Sequence, residues 1–313
     1  MNIAFLFPGQ GSQEPGMLHH LISHQAVEEV LQEMSQTLGF DVRVTDSENA
    51  LKSTISSQLA LLASGVATAR VLIQSGVRPT AVAGLSIGAF AAAVVAEALS
   101  LSDATKLVQS RAEQMEMMYP SGYGLAALIG LNETQVSGLV KAVSIEAHPV
   151  FVGNINAPRQ IVIAGSIDGM KEVLSRAVEL GARKAELLHV SVPSHCPLLQ
   201  PIANSLREQL RSKQIRDPQF VYVSNVKARA IRSAVGIATD LADNIAHGVR
   251  WHDATSVAQE LGCQLFLEMP PGHTLSDLVR ENLSEVEAYP VVSGSIDRLF
   301  KRPQDCSTSS TAS

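Results

Sequence analysis

The stretch Ala83-Gly84-Leu85-Ser86-Ile87-Gly88-Ala89-Phe90 indicates both the fold and the chemistry of this chain. It contains the pattern Gly-x-Ser-x-Gly, follows a short apolar run and precedes a small-residue segment, 89–99, that is typical of a helix. Between a strand and a helix this pattern forms a nucleophile elbow, in which glycines permit a sharp turn that lifts the serine hydroxyl clear of the backbone. The free N–H groups at the start of the helix also favour developing negative charge. Ser86 is therefore the first candidate for a nucleophile.

Composition restricts the class of protein. A chain of 313 residues with 46% hydrophobic and 17% charged residues suits one large domain, or a domain with a second one inserted. The net charge of −6 and the lack of a basic block argue against binding to nucleic acid or to an anionic membrane. The N-terminus lacks the basic residues of a signal peptide, and the three cysteines have neither zinc-type spacing nor an even number for disulfides. We therefore expect a cytoplasmic protein that holds no metal and needs no cofactor.

Strands and helices alternate in most of the sequence. The pattern predicts strands at 2–7 and 80–84 and near 219–224 and 264–268, and helices at 17–38 and 56–76. Ser102-Asp103 is expected to cap a further helix after the elbow. Alternation of this kind is typical of a parallel sheet covered by helices, so the sequence predicts an α/β fold.

The segment 123–190 has a different order of elements. Its predicted strands and helices are 124–131, 133–143, 150–156, 160–164, 167–180 and 183–190. The order βαββαβ is that of a ferredoxin-like subdomain, and no catalytic cluster lies within it. We therefore expect an inserted subdomain at 123–190, a discontinuous catalytic domain formed by 1–122 and 191–302, and a polar, disordered tail at 303–313.

A nucleophilic serine needs a base that takes its proton and donors that stabilise the oxyanion. Among nine histidines, His195 has the best position, because it lies in a loop bracketed by prolines directly after a predicted strand. A lone histidine in a loop is more often structural, so the sequence alone leaves other candidates open. These are His189, His247, His252 and His273.

The first predicted strand runs into the glycine-rich segment Phe7-Pro8-Gly9-Gln10-Gly11-Ser12-Gln13. This segment fails as a dinucleotide fingerprint, because Glu14 stands where the third glycine would be and Pro15 follows it. Two interpretations remain open. The segment is either a tight turn alone, or a turn whose backbone N–H points into a pocket.

Arg111 lies on the helix predicted after the elbow. An arginine on such a helix is most often on a solvated face. If its side chain points inward, it needs a carboxylate, because the guanidinium stays charged and binds paired oxygens. No acidic residue of this chain is evidently placed to pair with it, so a substrate carboxylate is a candidate partner.

Six motifs follow one another along the chain: Gly9-Gln10-Gly11-Ser12-Gln13, Gly84-x-Ser86-x-Gly88, Arg111, Asn156-Ala157-Pro158-Arg159-Gln160-Ile161-Val162-Ile163-Ala164-Gly165, Pro193-Ser194-His195-Cys196 and the stretch from Asn244 to Trp251. In residues and in order they resemble the motifs of the malonyl-CoA:acyl-carrier-protein transacylases. The resemblance extends from residue 1 to about residue 300. It implies an α/β-hydrolase-like domain that carries a ferredoxin-like insert, in agreement with the predicted order of elements.

The resemblance also implies a role for each motif. Ser86 would be the nucleophile that accepts the acyl group, and His195 would be its base. The backbone N–H groups of Gln10 and Ile87 would form the oxyanion hole. Arg111 would bind the free carboxylate of malonyl. The implied reaction is ping-pong, in which a malonyl thioester acylates the serine and a second, pantetheine-type thiol then attacks. With an ordinary histidine near pH 6.5 as the base, the acylation rate would rise through neutral pH.

Three positions depart from the usual family pattern. Asn244 stands where the family has a glutamine that orients the histidine, and its side chain is one methylene shorter. Leu85 and Ala89 replace a histidine and a glutamate that transacylases of fatty-acid synthesis usually have. Together with segments 118–124 and 268–272, this variant resembles the epsilon subunit of bacterial malonate decarboxylase, a malonyl transacylase that primes the carrier subunit of the decarboxylase.

We therefore expect a malonyl transferase whose partners are malonyl-CoA, an acyl-carrier-protein subunit and other malonate decarboxylase subunits. The alternative is the same reaction in fatty-acid or polyketide synthesis. A serine hydrolase such as a thioesterase is a second class, but no convincing acid lies between Ser86 and His195 in the sequence to complete a triad. A carrier-binding module without catalysis is a third class, and the combination of Ser86, His195 and Gln10 argues against it.

Overall fold

Two β-sheets organise the chain in a computed structural model that describes residues 2–188 and 190–292. The strands are β1 (Asn2–Phe7), β2 (Ala81–Gly84), β3 (Tyr123–Ile129), β4 (Val150–Ala157), β5 (Gln160–Ser166), β6 (Lys184–Leu187), β7 (Val221–Val223), β8 (Ala230–Ile231), β9 (Cys263–Glu268) and β10 (Glu287–Pro290). The helices are α1 (Gln25–Leu38), α2 (Thr54–Gln74), α3 (Gly88–Val95), α4 (Leu101–Met118), α5 (Glu133–Val143), α6 (Ile167–Glu179), α7 (Gln200–Arg211), α8 (Ala234–Asp243), α9 (Trp251–Glu260) and α10 (Thr274–Asn282).

The larger sheet has six strands in the order β10-β9-β1-β2-β7-β8. All neighbouring strands are parallel except β7 and β8, which pair antiparallel. In the register of β1 and β2, Phe7 lies opposite Gly84. The loop after β1 and the elbow after β2 therefore leave the same edge of the sheet, where parallel α/β sheets usually carry their sites.

Helix α2 forms much of the core behind this edge. It packs against α1, α3 and α4, and its N-terminus is capped by Ser53, whose hydroxyl accepts the Ile55 N–H. By length and composition it could cross a membrane, but 83% of its apolar window is buried inside the fold. Its apolar residues face neighbouring helices on most sides, which explains why its sequence is hydrophobic all round.

The smaller sheet is antiparallel, with the strand order β4-β5-β3-β6. Helices α5 and α6 pack against it over a separate core that includes Leu128, Ile163 and Met170. The predicted βαββαβ order is present along the chain. Helix α5 begins at a capping box in which the Asn132 side chain accepts from the Gln135 N–H and the Gln135 side chain accepts from the Asn132 N–H.

The two sheets meet where β4 passes the segment before α9. The Ile155 N–H donates to the Val249 carbonyl and the Val249 N–H donates to the Gly153 carbonyl, both at 2.8 Å. Arg250 adds an ion pair to Glu133 on α5. These contacts hold the β4 strand against the larger part of the molecule, so residues of the smaller sheet reach the edge that carries the elbow.

Several predicted boundaries were wrong. The helix predicted over 17–38 begins at Gln25, because residues 17–22 form turns whose buried apolar side chains imitate a helical period. Helix α4 is capped by Ser100, two residues before the expected cap, and β6 ends at Leu187. Strands β8 and β10 were missed because they are short edge strands with little apolar alternation. The tail at 303–313 lies outside the described residues.

Candidate active site

Ser86 sits on a strained turn between β2 and α3. Its φ of +54° is in the left-handed region, which a serine rarely occupies. The flanking glycines are required by space: a Cβ on Gly84 would lie 2.0 Å from the Gly88 carbonyl oxygen, and one on Gly88 would lie 2.2 Å from the Phe7 carbonyl oxygen. The strand, turn and helix predicted around Gly-x-Ser-x-Gly are thus present, and steric contact explains both glycines.

His195 is hydrogen-bonded to the candidate nucleophile. Its Nε2 lies 2.8 Å from the Ser86 Oγ, and its Nδ1 lies 2.7 Å from the backbone carbonyl oxygen of Asn244. A carbonyl only accepts hydrogen bonds, so Nδ1 carries the proton and Nε2 is free to accept the serine proton. The backbone N–H of His195 also donates to the Ile245 carbonyl. The structure therefore brings together the serine and the histidine that the sequence singled out.

The remaining histidines do not take this place. His247 and His273 are exposed, His252 lies on α9, and His189 is outside the described residues. Among the residues that the structure describes, the histidine bonded to Ser86 is His195.

Burial lowers the pKa of His195 to about 4, and the nearby positive charge of Arg111 acts in the same direction. Hydrogen bonds to backbone carbonyls, including that of Asn244, oppose this change. The imidazole is therefore neutral at neutral pH and competent as a base. The expected rise of acylation through neutral pH needs correction, because desolvation moves the titration of this histidine into the acid range.

Asn244 holds the histidine in a different way from that expected. Its backbone carbonyl, not its side chain, contacts His195, while its Nδ2 donates to the Ser86 carbonyl oxygen at 3.2 Å. Its Oδ1 has no hydrogen-bond partner among the described residues. Within the same described part of the chain, no carboxylate bonds to His195, so a backbone carbonyl takes the place of the triad acid that the sequence lacked.

Arg111 is a buried cation beside the candidate nucleophile. Its side chain is on α4, only 2% of the residue is exposed, and its Nη2 lies 3.4 Å from the Ser86 Oγ. Its Nη1 donates to the Gln58 Oε1 at 2.5 Å, and Gln58 in turn donates to the Gln10 Oε1 at 3.3 Å. Burial lowers the pKa of Arg111 to about 10. No ion pair involves Arg111 within residues 2–188 and 190–292, so its charge is unmatched by this part of the protein.

The chain matches the family described as acyl transferase domain over residues 4–302. This chain belongs to that family. It is 34% identical over 295 residues to a malonyl CoA-acyl carrier protein transacylase of Haemophilus influenzae, covering 92% of this chain and 94% of the relative. A Bacillus subtilis protein of the same name is 35% identical over 285 residues, covering 89% and 90%. The family that the sequence motifs predicted is thereby confirmed, and the protein is an acyltransferase.

Solved structures agree with this assignment. An acyl-carrier-protein S-malonyltransferase from Burkholderia pseudomallei superposes with a TM-score of 0.91 at 33% identity, covering 96% of this chain and all of that one. A malonyl-transacylase solved with a type II polyketide acyl carrier protein gives 0.92 at 32% identity, covering 97% and 100%. The mixed α/β architecture with a separate antiparallel sheet is therefore that of known malonyltransferases.

The oxyanion donors expected in this acyl transferase lie at the edge described above. Gln10 follows β1 in the glycine-rich loop, and Ile87 directly precedes α3. In the described part of the chain, neither backbone N–H donates to another group. The Ser86 N–H, by contrast, already donates to the Asn225 Oδ1 at 3.1 Å. Both N–H groups are therefore available as donors at this edge of the sheet.

A narrow cleft of about 40 Å³ contains the site of the acyl transferase, with Ser86, Arg111 and His195 in its wall. The smaller sheet contributes Leu125 and Asn154 to the same wall. The Asn154 Oδ1 is buried and has no partner among the described residues. The cleft therefore combines a hydrogen-bonded serine and histidine, an unpaired cation and a buried acceptor without a partner among the described residues. No group of three potential metal ligands occurs in the described residues.

Sequence reasoning missed three residues of the acyl transferase site: Gln58, Asn154 and Asn225. Gln58 and Asn225 bond to functional groups from 53 and 139 residues away. A polar residue next to or within an apolar segment was the available signal, since Gln58 lies on the apolar helix α2 and Asn225 lies two residues after β7. Such a signal suggests a buried hydrogen bond but does not identify the partner.

Proposed function

We propose that this acyl transferase moves a malonyl group from malonyl-CoA to the thiol of an acyl carrier protein through a malonyl ester on Ser86. The observation that carries the proposal is the position of Arg111. A fixed cation lies 3.4 Å from the nucleophile in a buried wall, and its second nitrogen is oriented by Gln58. Malonyl differs from acetyl by a terminal carboxylate, and a guanidinium binds that group through two parallel hydrogen bonds.

The proposed chemistry uses the same groups in both half-reactions, with the histidine acting first as base and then as acid. The His195 Nε2 takes the proton from Ser86 as its Oγ attacks the thioester carbonyl. The N–H groups of Gln10 and Ile87 stabilise the oxyanion. The carbon–sulfur bond then breaks, and the imidazolium returns its proton to the leaving CoA thiolate. In the second half-reaction the same histidine takes the proton of the carrier thiol, which attacks the ester and releases the serine hydroxyl.

The names of the relatives support a carrier of fatty-acid or polyketide synthesis as the acceptor. The curated relatives are malonyl CoA-acyl carrier protein transacylases, and one structural relative was solved with a polyketide acyl carrier protein. The comparisons thus favour the alternative considered from the sequence over the malonate decarboxylase branch. We propose this acceptor class as the principal one.

Leu85 and Ala89 favour a second acceptor, the carrier subunit of malonate decarboxylase. Leu85 lines the cleft, and Ala89 is buried on the first turn of α3. Transacylases of fatty-acid synthesis usually have a histidine and a glutamate at these two positions, so the apolar residues here depart from their pattern. The identity of the carrier is therefore part of the experimental test.

We assign the domain limits and the location as part of the same proposal. Residues 1–122 and 191–302 would form the catalytic domain, for which the elbow favours an α/β-hydrolase-like description, and 123–190 would form the inserted subdomain. A cytoplasmic location agrees with the use of CoA thioesters and with the unpaired cysteines Cys196 and Cys263.

Intact-mass spectrometry tests the proposal. Malonyl-CoA should leave one malonyl adduct, mapped to the peptide with Ser86, and Ser86→Ala should take up none, with a loss of transfer of roughly several orders of magnitude. Ser12→Ala is the matched control and should remain active. The loaded protein is then offered a fatty-acid-type carrier and a decarboxylase-type carrier, each bearing its thiol.

The outcomes separate the candidate functions. Transfer to a carrier supports the transacylase and identifies its acceptor class. Loss of the adduct to water at the same rate with and without carriers would identify a thioesterase instead. Labelling of Ser12 or Ser194 in place of Ser86 would overturn the assignment of the nucleophile.

A further inference from the structure

The side chain of Asn225 holds the elbow from outside the turn. Its Nδ2 donates to the Gly84 carbonyl oxygen at 2.5 Å, and its Oδ1 accepts the Ser86 N–H at 3.1 Å. Asn225 lies two residues after β7, the strand that pairs with β2, and only 2% of it is exposed. One amide therefore fixes the peptide groups on both sides of Leu85, immediately before the nucleophile.

Asp240 on α8 holds Asn225 in turn. Its carboxylate accepts the Tyr222 hydroxyl at 2.9 Å and the Ser224 hydroxyl. It also accepts the backbone N–H groups of Asn225 and Val226 at 3.3 and 3.4 Å. All four donors belong to the end of β7 and the loop that follows it. The carboxylate thus fixes the backbone that carries the Asn225 side chain.

Helix α8 also supports the base at its C-terminal end. The residue after it, Asn244, gives its carbonyl to His195 and its Nδ2 to the Ser86 carbonyl. The peptide groups of Ser86 are consequently held on the N–H side by Asn225 and on the C=O side by Asn244. Asp240, which holds Asn225, lies on α8, and Asn244 directly follows this helix. Helix α8 therefore positions the nucleophile and the base relative to each other.

The elbow needs such support because of its backbone conformation. Ser86 is not glycine, so its φ of +54° is unfavourable and persists only where surrounding structure imposes it. The distance of 2.8 Å between the Ser86 Oγ and the His195 Nε2 depends on that conformation. The Ser86 N–H donates to the Asn225 Oδ1 and therefore does not donate to the oxyanion. The role of Asn225 is thus separate from that of the Gln10 and Ile87 N–H groups.

We propose that Asn225, held by Asp240, is a positioning residue that fixes the left-handed turn at Ser86 and so aligns its hydroxyl with His195. The inference rests on the proposed role of Ser86 as nucleophile. It means that the serine and the histidine, although both present, need Asn225 to align them. Loss of the amide would leave the nucleophile, the base and Arg111 in the protein but misalign the first two, and a displacement of about 1 Å costs roughly a hundredfold in rate.

Rapid-quench measurement of Ser86 malonylation tests the inference in the full chain. In Asn225→Ala we expect the maximal acylation rate to fall roughly 10- to 100-fold. The malonyl-CoA concentration at half-maximal rate should stay within about twofold, because Arg111 and the cleft are unchanged. Asp240→Asn should lower the maximal rate by a smaller factor, since one amide oxygen cannot accept all four donors. Tyr222→Phe is the matched control, because it removes one bond to Asp240 without touching Asn225, and it should keep the wild-type rate.

A second probe separates this inference from the proposed function. A fluorophosphonate reacts with an activated serine whatever its natural acyl group: the Ser86 Oγ bonds to phosphorus, fluoride leaves and the hydroxyl proton passes to His195. With this reagent we expect the same ranking as with malonyl-CoA: Asn225→Ala is slowest, Asp240→Asn is less affected, and Tyr222→Phe reacts as fast as wild type. Circular dichroism and thermal melting establish which variants are folded, and Asp240→Asn decides the question if Asn225→Ala does not fold.

Three results would overturn the inference. A folded Asn225→Ala protein with wild-type rates towards both reagents would remove Asn225 from positioning. A raised half-saturating concentration with an unchanged maximal rate would make it a binding residue. An equal loss in Tyr222→Phe would show a general effect of the network on stability. If wild type reacts with the fluorophosphonate but takes up no malonyl group, the proposed function fails while the inference about positioning is still measured.

Discussion

Replacing Arg111 should convert a malonyl-selective enzyme into one that no longer distinguishes malonyl from acetyl. Burial lowers the pKa of Arg111 from 12.5 to about 10. Since each tenfold change in a protonation equilibrium corresponds to about 1.4 kcal/mol, burial disfavours the charged guanidinium by about 3 kcal/mol. A malonyl carboxylate offsets this cost by a bidentate pair, and an acetyl group leaves it in place. The wild-type preference for malonyl-CoA should therefore be on the order of a hundredfold.

The assay compares transfer rates from malonyl-CoA and acetyl-CoA in three proteins. Arg111→Ala should lose most malonyl activity and keep or gain acetyl activity, because the site then contains no unpaired charge beside the methyl group. Arg111→Lys should be intermediate, since an ammonium is a point charge and cannot reproduce the planar fork that Gln58 orients.

Arg176→Ala provides the matched control for Arg111. Arg176 lies on α6, is paired with Glu172 and has a side chain that is 45% exposed, so its removal should leave the ratio of rates unchanged. Unchanged rates with both thioesters in Arg111→Ala would refute the reasoning and assign recognition of the carboxylate to another group. An equal fall for both thioesters would instead give Arg111 a role in support of Ser86, which it approaches at 3.4 Å.

The remaining predictions concern the base and the elbow. Because burial lowers the pKa of His195 to about 4, wild-type acylation should be constant across neutral pH and fall as the pH approaches about 4, whereas a midpoint near 6.5 would contradict the buried geometry. The unfolded state binds the His195 proton more readily than the native state does. The free energy of unfolding should therefore decrease by about 3 kcal/mol as the pH falls from about 6.5 to about 4. Denaturant titrations of His195→Gln should lack this contribution to the decrease. Gly88→Ala should lower Ser86 malonylation by roughly a hundredfold or more, because its Cβ would meet the Phe7 carbonyl oxygen at 2.2 Å. Gly138→Ala on α5 is the control and should keep full activity, because its Cβ would meet nothing within 4 Å. A Gly88→Ala protein that is malonylated at the wild-type rate would contradict the steric argument.

Local pattern sufficed for the elements whose residues carry their own signals. The elbow follows from two glycines around a serine between an apolar strand and a helix, and α5 was predicted with its observed bounds, Glu133–Val143. The βαββαβ order of the smaller sheet follows from the alternation of its periods along the chain. Local pattern failed at 17–22, where buried apolar turns share the spacing of a helix, and at the short edge strand β8.

The sequence by itself indicated which residues to expect in the site: Ser86, His195, Arg111 and the loop with Gln10 were identified from residue type, neighbours and motif order. Only the tertiary structure decided what each of them does energetically. The Ser86–His195 bond joins residues 109 positions apart, and the carbonyl that orients the imidazole comes from Asn244, whose side chain the sequence had indicated instead. The acid pKa of His195 and the unmatched charge of Arg111 result from burial by elements distant in the chain. Desolvation and long-range hydrogen bonds depend on where the chain returns in space, and no local pattern of residues records that.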